Sequence, residues 1–228
     1  MIKISLVVED IVQNSEIVSS ALADGLLNLS AYADTIHPLV EEKAKKPVKK
    51  GSIVVALSRL QQRLSTQEPI HPSVEVGDII VRAPLVDITF DRTSSTENLL
   101  KSLHTNSHIN EESFLTITEG NREITIITTE SLRNALVTHF EPNRPKAVIS
   151  NLAAIGVSFS EAYIHTPNVM YTLLRHLALK RINITEIVST YTELTFVIKQ
   201  EDVETAFHLM HQLRTSGEVI LETTDRGD

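Results

Sequence analysis

An internal repeat with an offset of about 70 residues constrains this sequence more than any other feature. The segment VDITFD aligns with IGVSFS, REITIIT aligns with ELTFVIK, and ESLRNALVTHF aligns with DVETAFHLMHQL. Each copy follows the order strand, helix, strand, strand, helix, strand. This split βαβ order predicts a four-stranded antiparallel sheet with both helices on one face. Two such units in one chain are expected to pair side by side or face to face.

Local signals predict where the strands of each copy lie. IIVRAPLVDITF is rich in β-branched residues and predicts the first strand of the first copy. Glu119-Gly120-Asn121-Arg122 separates two alternating strands and predicts a hairpin turn. KAVIS and AAIGVSFS are predicted as two separate strands at the junction of the copies, and GEVILE as the last strand of the second copy.

The first 64 residues have a helical pattern. Asn14 or Ser15 is a suitable N-cap for one helix and Ser30 for the next. Pro38 lies inside the second helix and is expected to kink or split it. A third helix is predicted from about Ser52 to Leu64, because its apolar residues recur on one face.

The predicted fold class is α+β, with an all-α domain followed by two ferredoxin-like βαββαβ units. The predicted boundaries are a helical domain at 1–68, a linker at 69–78, a first unit at 79–151 and a second unit at 152–228. The linker is inferred from two prolines and a glycine within a polar segment, a composition that favours an exposed connection.

The net charge of −8 lies in residues 69–228, because the basic and acidic residues of 1–68 balance. The acidic part would repel phosphate and is a poor candidate for nucleic-acid binding. The absence of cysteine excludes disulfides, thiolate metal ligands and a cysteine nucleophile. The amino terminus is a poor signal peptide, and no apolar run is long enough to span a membrane. We therefore expect a cytoplasmic protein that does not bind membranes.

Four features of the second copy carry a family resemblance. Pro167 stands at the mouth of its first helix, followed by Asn168. Arg181-Ile182-Asn183-Ile184 leads into its second strand, and an acidic segment beginning at Glu201 enters its second helix. In this ordered set the chain resembles a tandem pair of ACT domains over residues 80–222, closest in style to the regulatory tail of aspartate kinases. The ACT pattern usually has glycine where Asn168 stands. The first copy is degenerate, since TSSTENLL has neither proline nor glycine at its helix mouth.

The resemblance implies a binding site for an amino acid or a similar small metabolite. ACT pairs commonly bind such an effector at the interface between units and pass the signal to an attached enzyme or DNA-binding domain. The free N–H groups and dipole of a helix N-terminus suit a carboxylate. By motif position, the ligand-binding candidates are Thr166, Pro167, Asn168, Val169 and Met170 at the helix mouth and Asn183, Ile184, Thr185, Glu186 and Ile187 on the following strand. The alternative is a unit that binds nothing and only pairs, and a homodimer through the ACT-like units is expected in either case.

Basic residues are concentrated between positions 43 and 64. This segment resembles the last two helices of a helix-turn-helix, in which such residues contact DNA. The nucleic-acid-binding candidates are Lys45, Lys46, Lys49, Lys50, Ser52, Arg59 and Arg63. The alternative is protein contact, because Ile53, Val54, Val55 and Leu57 cover nearly the whole circumference of the helix and suit the centre of a bundle.

The sequence contains no phosphate-binding loop, nucleophile elbow or kinase signature, and an enzyme or a cofactor is not expected. The pairs His104/His108 and His208/His211 have helical spacing, but no third metal ligand accompanies them and no metal site is predicted. The sequence predicts a regulatory protein that senses an amino acid and signals to its helical domain, as in a transcriptional regulator. The alternative is a non-catalytic regulatory subunit or scaffold of an amino-acid-biosynthesis enzyme that does not bind DNA.

Overall fold

The computed structural model describes residues 3–67, 72–103 and 114–224, with side chains described as far as residue 214. The chain divides into two compact units, Met1–Ile70 and His71–Asp228. His104 and His108 lie outside the described residues, as does the beginning of the segment predicted as a linker.

The first unit contains four helices in its described part: α1 (Ile4–Gln13), α2 (Glu16–Ala23), α3 (Leu29–Ala44) and α4 (Lys50–Leu64). Helix α4 packs against each of the other three. Its Ile53 and Leu57 are fully buried with Val8, Leu22 and Val40. This observation agrees with the interpretation of α4 as the centre of a bundle, although Val55 on the same helix is exposed.

Capping side chains define where these helices begin. Ser15 is the N-cap of α2, and its Oγ accepts from the Val18 N–H at 3.4 Å. Helix α3 begins before the predicted Ser30, because Asn28 caps it and accepts from the Ala31 N–H at 3.0 Å. Pro38 does not split α3, which continues to Ala44. Burial of residues on both sides of the proline holds the helix together despite the missing N–H donor.

The second unit contains one antiparallel sheet of six described strands in the order β2-β3-β1-β4-β6-β5. The strands are β1 (Ile79–Asp91), β2 (Leu115–Glu119), β3 (Glu123–Thr129), β4 (Ala147–Ser158), β5 (Ile184–Ser189) and β6 (Glu193–Lys199). The helices are α5 (Ser94–Leu103), α6 (Arg133–His139), α7 (Val169–Leu179) and α8 (Val203–Thr224), with short 3-10 turns at Glu130–Leu132, Glu161–His165 and Gln200–Asp202.

The two long central strands are shared between the halves of this sheet. Among the described strands, Leu85–Asp91 of β1 pairs with β3, whereas Ile79–Arg82 pairs only with β4. In β4, Leu152–Ser158 pairs with β6, whereas the segment 147–149 pairs only with β1. Each half therefore has four strand segments. Three come from its own strands, and the fourth, which lies beside its own long strand, is part of the long strand of the other half.

This arrangement corrects two strand predictions. KAVIS and AAIGVSFS form one strand, β4, because both pair with β1 across a bulge. Asn151 lies in that bulge with a φ of 61°, a left-handed conformation that asparagine tolerates better than most residues. GEVILE is not a strand but lies within α8. The position that it would occupy in the sheet is taken by Ile79–Arg82.

The four described helices of this unit cover one face of the sheet. Phe90 and Phe140 lie in the core of the first half with stacked rings 4.3 Å apart, and Phe196 lies in the core of the second half. The opposite face, called the open face below, carries a smaller buried cluster of Leu85, Ile127, Leu152, Ala154 and Val197. These residues lie on the central strands and their neighbours, so this small cluster spans both halves.

Part of the segment predicted as a linker packs against the second half. Val74 and Val76 are buried in its core. The Gly77 N–H donates to the Ser158 carbonyl at 2.8 Å, and the Glu75 N–H donates to the Tyr163 hydroxyl at 3.0 Å. Described residues 72–78 therefore continue the unit rather than forming an exposed connection.

Candidate functional site

Asn168 sets the backbone geometry at the mouth of α7. It is the N-cap of this helix and has a φ of 67°, in the left-handed region. Its carbonyl accepts hydrogen bonds from both the N–H and the hydroxyl of Thr172, at 2.9 and 3.0 Å. Asparagine enters this region more readily than other residues with a side chain, and it can thus replace the glycine of the ACT pattern. Pro167 lies just before the helix rather than in its first turn.

A cavity of about 490 Å³ lies where β6 ends beside the bulge of β4. We call this cavity the notch. It is lined by Ile149–Leu152, by Asn183–Thr185 and by Lys199–Glu201. Among the described strands, the segment 147–149 is paired on one side only, because β6 reaches no further than the partner of Leu152. Because β6 ends there, space remains beside the edge of β4.

The predicted ligand-binding residues do not form one cluster within the chain. Asn183, Ile184 and Thr185 line the notch, whereas none of the helix-mouth residues does. The helix mouth and Asn183 lie at opposite ends of α7, whose 11 residues span about 16 Å. Glu186 and Ile187 point to opposite faces of the sheet, because their partners Val197 and Phe196 are adjacent residues of β6.

The notch combines hydroxyl, amide, ammonium and carboxylate groups. Lys199 Nζ donates to Glu201 Oε1 at 3.3 Å on its rim. Ser150 Oγ accepts from Arg133 at 3.1 Å and donates to Glu130 Oε1 at 3.5 Å. Glu130 does not itself line the notch, and its other carboxylate oxygen is buried without a hydrogen-bond partner among the described residues. Such a mixed set of donors and acceptors suits a small zwitterion.

Sequence reasoning missed the residues that complete the notch. Asn151 interrupts an apolar strand pattern, and this interruption was the available signal for a bulge. Lys199, Gln200 and Glu201 lie at the end of a strand, and only the sheet register brings them beside Leu152.

Two acidic side chains lie on the open face close enough to influence each other. Asp87 is only 3% exposed, and the Thr89 hydroxyl donates to its Oδ1 at 3.2 Å. Burial raises the pKa of the Asp87 carboxyl, and the hydrogen bond from Thr89 offsets only part of this effect. Burial also raises the pKa of Glu186, and the charge of Asp87 raises it further. Both groups therefore favour the protonated form more than exposed carboxyls do.

Acidic side chains of the first unit pair with several of its basic side chains. Lys43 contacts Asp10 at 2.8 Å and Lys50 contacts Asp34 at 2.6 Å. Arg63 forms an ion pair with Glu9. The hydrogen bond and the charge of Lys43 lower the pKa of Asp10. These pairs reduce the positive charge available to phosphate along the segment predicted to bind DNA.

The connection between α3 and α4 is anchored to α3. His37 Nε2 donates to the Val48 carbonyl at 2.6 Å, and Glu41 Oε1 accepts from the Val48 N–H at 2.8 Å. The Val48 side chain is buried in the bundle core. Lys45 ends α3 with a φ of 53°, and Lys49 is the N-cap of α4. The remaining candidates are Lys46 in this connection, which is half-buried, and Ser52 and Arg59 on α4, which are exposed.

Among the described residues, no group of three or more acidic or histidine side chains could hold a metal ion. Within the same part of the chain, no helix is both long enough and apolar enough to cross a membrane.

Comparison of the fold with solved structures gives clear similarities. The chain resembles the ligand-free regulatory subunit of aspartate kinase from Thermus thermophilus with a TM-score of 0.50 and 14% identity, covering 60% of this chain and 98% of that subunit. It also resembles the aspartate kinase of Clostridium acetobutylicum, described as an allosteric enzyme, with a TM-score of 0.51 and 10% identity. That match covers 65% of this chain but only 37% of the kinase. The sequence matches no protein-family model, and no curated protein sequence matches it significantly. At these identities the similarities show a shared fold.

Proposed function

We propose that this chain is a non-catalytic regulatory protein that binds an amino acid or a similar small metabolite and controls an enzyme of amino-acid biosynthesis. The observation that carries the proposal is its fold, a mixed helix and antiparallel-sheet arrangement similar to nearly the whole of a separate aspartate kinase regulatory subunit. The two halves of the sheet act in this proposal as paired ACT-like units, the second of which keeps more of the ACT pattern.

The notch is the proposed effector site because its walls come from both halves. The segment 149–151 continues the strand that completes the first half, whereas Asn183–Thr185 and Lys199–Glu201 belong to the second. A ligand that contacts both walls would favour one relative position of the halves over others. Such differential binding is what coupling between a ligand and a distant surface requires.

The chemistry of the notch supports a ligand with both a carboxylate and an ammonium group. Lys199 supplies a positive charge for the carboxylate, and Glu201 supplies a negative charge for the ammonium. The Thr185 hydroxyl and the side-chain amides of Asn151 and Asn183 can donate to or accept from either group. The helix mouth at 166–170 is proposed to complete a second site only when another copy of the chain brings a strand to it, as the implied homodimer would.

The observations favour this proposal over a transcriptional regulator. Ion pairs reduce the charge of the basic segment, and α4 is the central helix of its bundle rather than an exposed reading helix. We therefore assign the helical unit to protein contact, with the controlled enzyme as its partner.

A thermal-shift screen against the twenty amino acids tests the effector site. A ligand at 100 times its dissociation constant should add about 2.7 kcal/mol of stability. Thr185→Val should reduce the shift, because it removes a hydroxyl from the notch while keeping the volume of the side chain. Thr116→Val is the matched control, since Thr116 has the corresponding place one residue after the start of β2. No shift with any amino acid, or equal losses in both variants, would reject the notch as the effector site.

Enzyme control is tested separately with the purified aspartate kinase catalytic chain of the same organism. The wild-type protein should change the amino-acid inhibition of the kinase, and Thr185→Val should weaken that change. A kinase whose inhibition is the same with and without this protein would exclude it as the regulated partner.

A further inference from the structure

A second cavity lies on the open face of the sheet, away from the notch. It has a volume of about 240 Å³ and shares no lining residue with the notch. Its floor is the open side of β4, where the small residues Ala154, Gly156 and Ser158 alternate. Larger side chains rise from the neighbouring strands, including Ile80 on β1 and Thr195 on β6. The cavity is thus a trough along β4, and we use that name below.

The width of the trough depends on the absence of a side chain at Gly156. A Cβ built at this position would lie 3.2 Å from Thr195 Oγ1 and 3.8 Å from the Ile80 carbonyl oxygen. A methyl group would therefore enter the space between the two walls. Phe114, which is half-buried, adds an aromatic surface to the lining.

Unpaired charges of both signs surround the trough. Asp78 and Glu193 flank Ser158: Glu193 pairs with it in the register of β6, and Asp78, just before β1, donates its N–H to the Ser158 hydroxyl at 2.8 Å. Arg82 lies four residues after Asp78, on β1, in the wall beside Ala154. Among the described residues, these three side chains make neither ion pairs nor side-chain hydrogen bonds. The two carboxylates therefore mark one end of the trough, and the guanidinium marks the other.

The separation of these charges limits the ligand. Four residues of a strand span about 13 Å, and the side chains can reach toward each other over part of this distance. The ammonium and carboxylate of a free α-amino acid are too close together to reach both ends at once. The cavity is also smaller than the roughly 300–1,000 Å³ that drug-sized ligands occupy, which excludes a long peptide.

We propose that the trough binds an extended zwitterion of dipeptide length. Arg82 binds the carboxylate through two parallel N–H donors, and Asp78 with Glu193 binds the ammonium. Ile80, Ala154 and Phe114 contact apolar side chains of the ligand, and Gly156 lets its backbone approach the sheet. This site does not depend on the proposed effector site, because the two cavities have separate linings.

Titration of the isotope-labelled protein with L-alanyl-L-alanine, followed by NMR, tests this inference. Saturable binding with a dissociation constant of about 1 mM or tighter is expected. The shifted amides should lie in β1, β4 and β6. Arg82→Gln should weaken binding about tenfold, equivalent to about 1.4 kcal/mol. Arg144→Gln, which removes the same charge from an exposed position outside the trough, should bind like the wild type. Gly156→Ala should also weaken binding, because its methyl group narrows the trough.

Modified ligands identify the groups that are recognised. N-acetyl-alanyl-alanine lacks the ammonium and alanyl-alaninamide lacks the carboxylate, so both should bind about tenfold more weakly or not at all. Thr185→Val should leave dipeptide binding unchanged, which separates this result from the test of the notch. The inference is overturned by an absence of saturable binding, by equal affinity of Arg82→Gln, or by equally tight binding of alanine or of the acetylated dipeptide.

Discussion

Asn168 shows how one residue can replace another by meeting the same backbone requirement. The ACT pattern usually has glycine here, and the left-handed φ of Asn168 supplies the physical reason. Asparagine accepts this conformation at a lower cost than alanine does. The departure from the pattern therefore changes the side chain offered at the helix mouth without changing the path of the chain.

The backbone requirement at Asn168 predicts an order of stability between two variants. Asn168→Gly and Asn168→Ala both lose the asparagine side chain, but only alanine is strained at positive φ. The glycine variant should therefore be more stable by about 1 kcal/mol in urea denaturation. The order should reverse at the exposed Asn98 inside α5, where alanine is the better helix former by about 1 kcal/mol. The same order at both positions would contradict the role assigned to φ.

Asp87 predicts a change in how stability depends on pH. Its folded-state pKa is raised by burial, so folding favours the protonated form. The stabilisation is complete below the unfolded pKa of about 3.9 and is lost as pH rises through the folded pKa. Asp87→Asn should therefore stabilise the protein increasingly between pH 4 and pH 7. Each kcal/mol gained should raise the melting temperature by about 2–4 °C.

The control for this effect is Asp91→Asn, which changes an exposed carboxylate near the end of the same strand. Melting curves of both variants and of the wild type across this pH range make the comparison. A difference between Asp87→Asn and the wild type that does not grow with pH would contradict the assignment.

At the scale of elements, local patterns predicted α2, α3, α4 and the hairpin at 120–122, but neither α1 nor the sharing of strands. The turn at 120–122 joins two strands where Gly120 and Asn121 indicated it, because hairpin chemistry is local. GEVILE has the composition of a strand, yet it lies in a helix, because Ile79–Arg82 already occupies the position beside β4 in the sheet. That competition involves residues more than 130 positions apart, and no local pattern records it.

The candidate site was only partly predictable for the same reason. The ACT pattern located Asn183, Ile184 and Thr185, which line the notch. The pattern grouped them with residues at the other end of α7, because a motif records the order of residues along the chain but not the distance that the helix places between them. Lys199 and Glu201 lie at the notch because of the way β6 is aligned with β4 in the sheet. The alternation of residues along one strand does not by itself specify that alignment.

At the scale of the whole molecule, the shared strands make the two halves of the sheet depend on each other. The second half needs Ile79–Arg82 beside β4, and the first half needs the segment 147–149 beside β1. A cut between residues 151 and 152 divides the repeat cleanly in sequence, but it also divides β4 at its bulge. The fragment 152–228 would then expose the edge of β4 that β1 normally covers and would lack the buried Val74 and Val76.

We therefore expect residues 72–228 to fold alone and residues 152–228 not to fold alone. The longer fragment should show one cooperative urea transition and dispersed amide resonances, because it retains both shared strands. The shorter fragment should give collapsed amide dispersion at the same concentration. Adding a peptide of residues 72–91 should restore dispersed resonances for β6, since it returns the missing strand and both valines. A cooperative transition in 152–228 without the peptide would show that the second half is independent, and it would remove the structural basis for coupling the halves through β1 and β4.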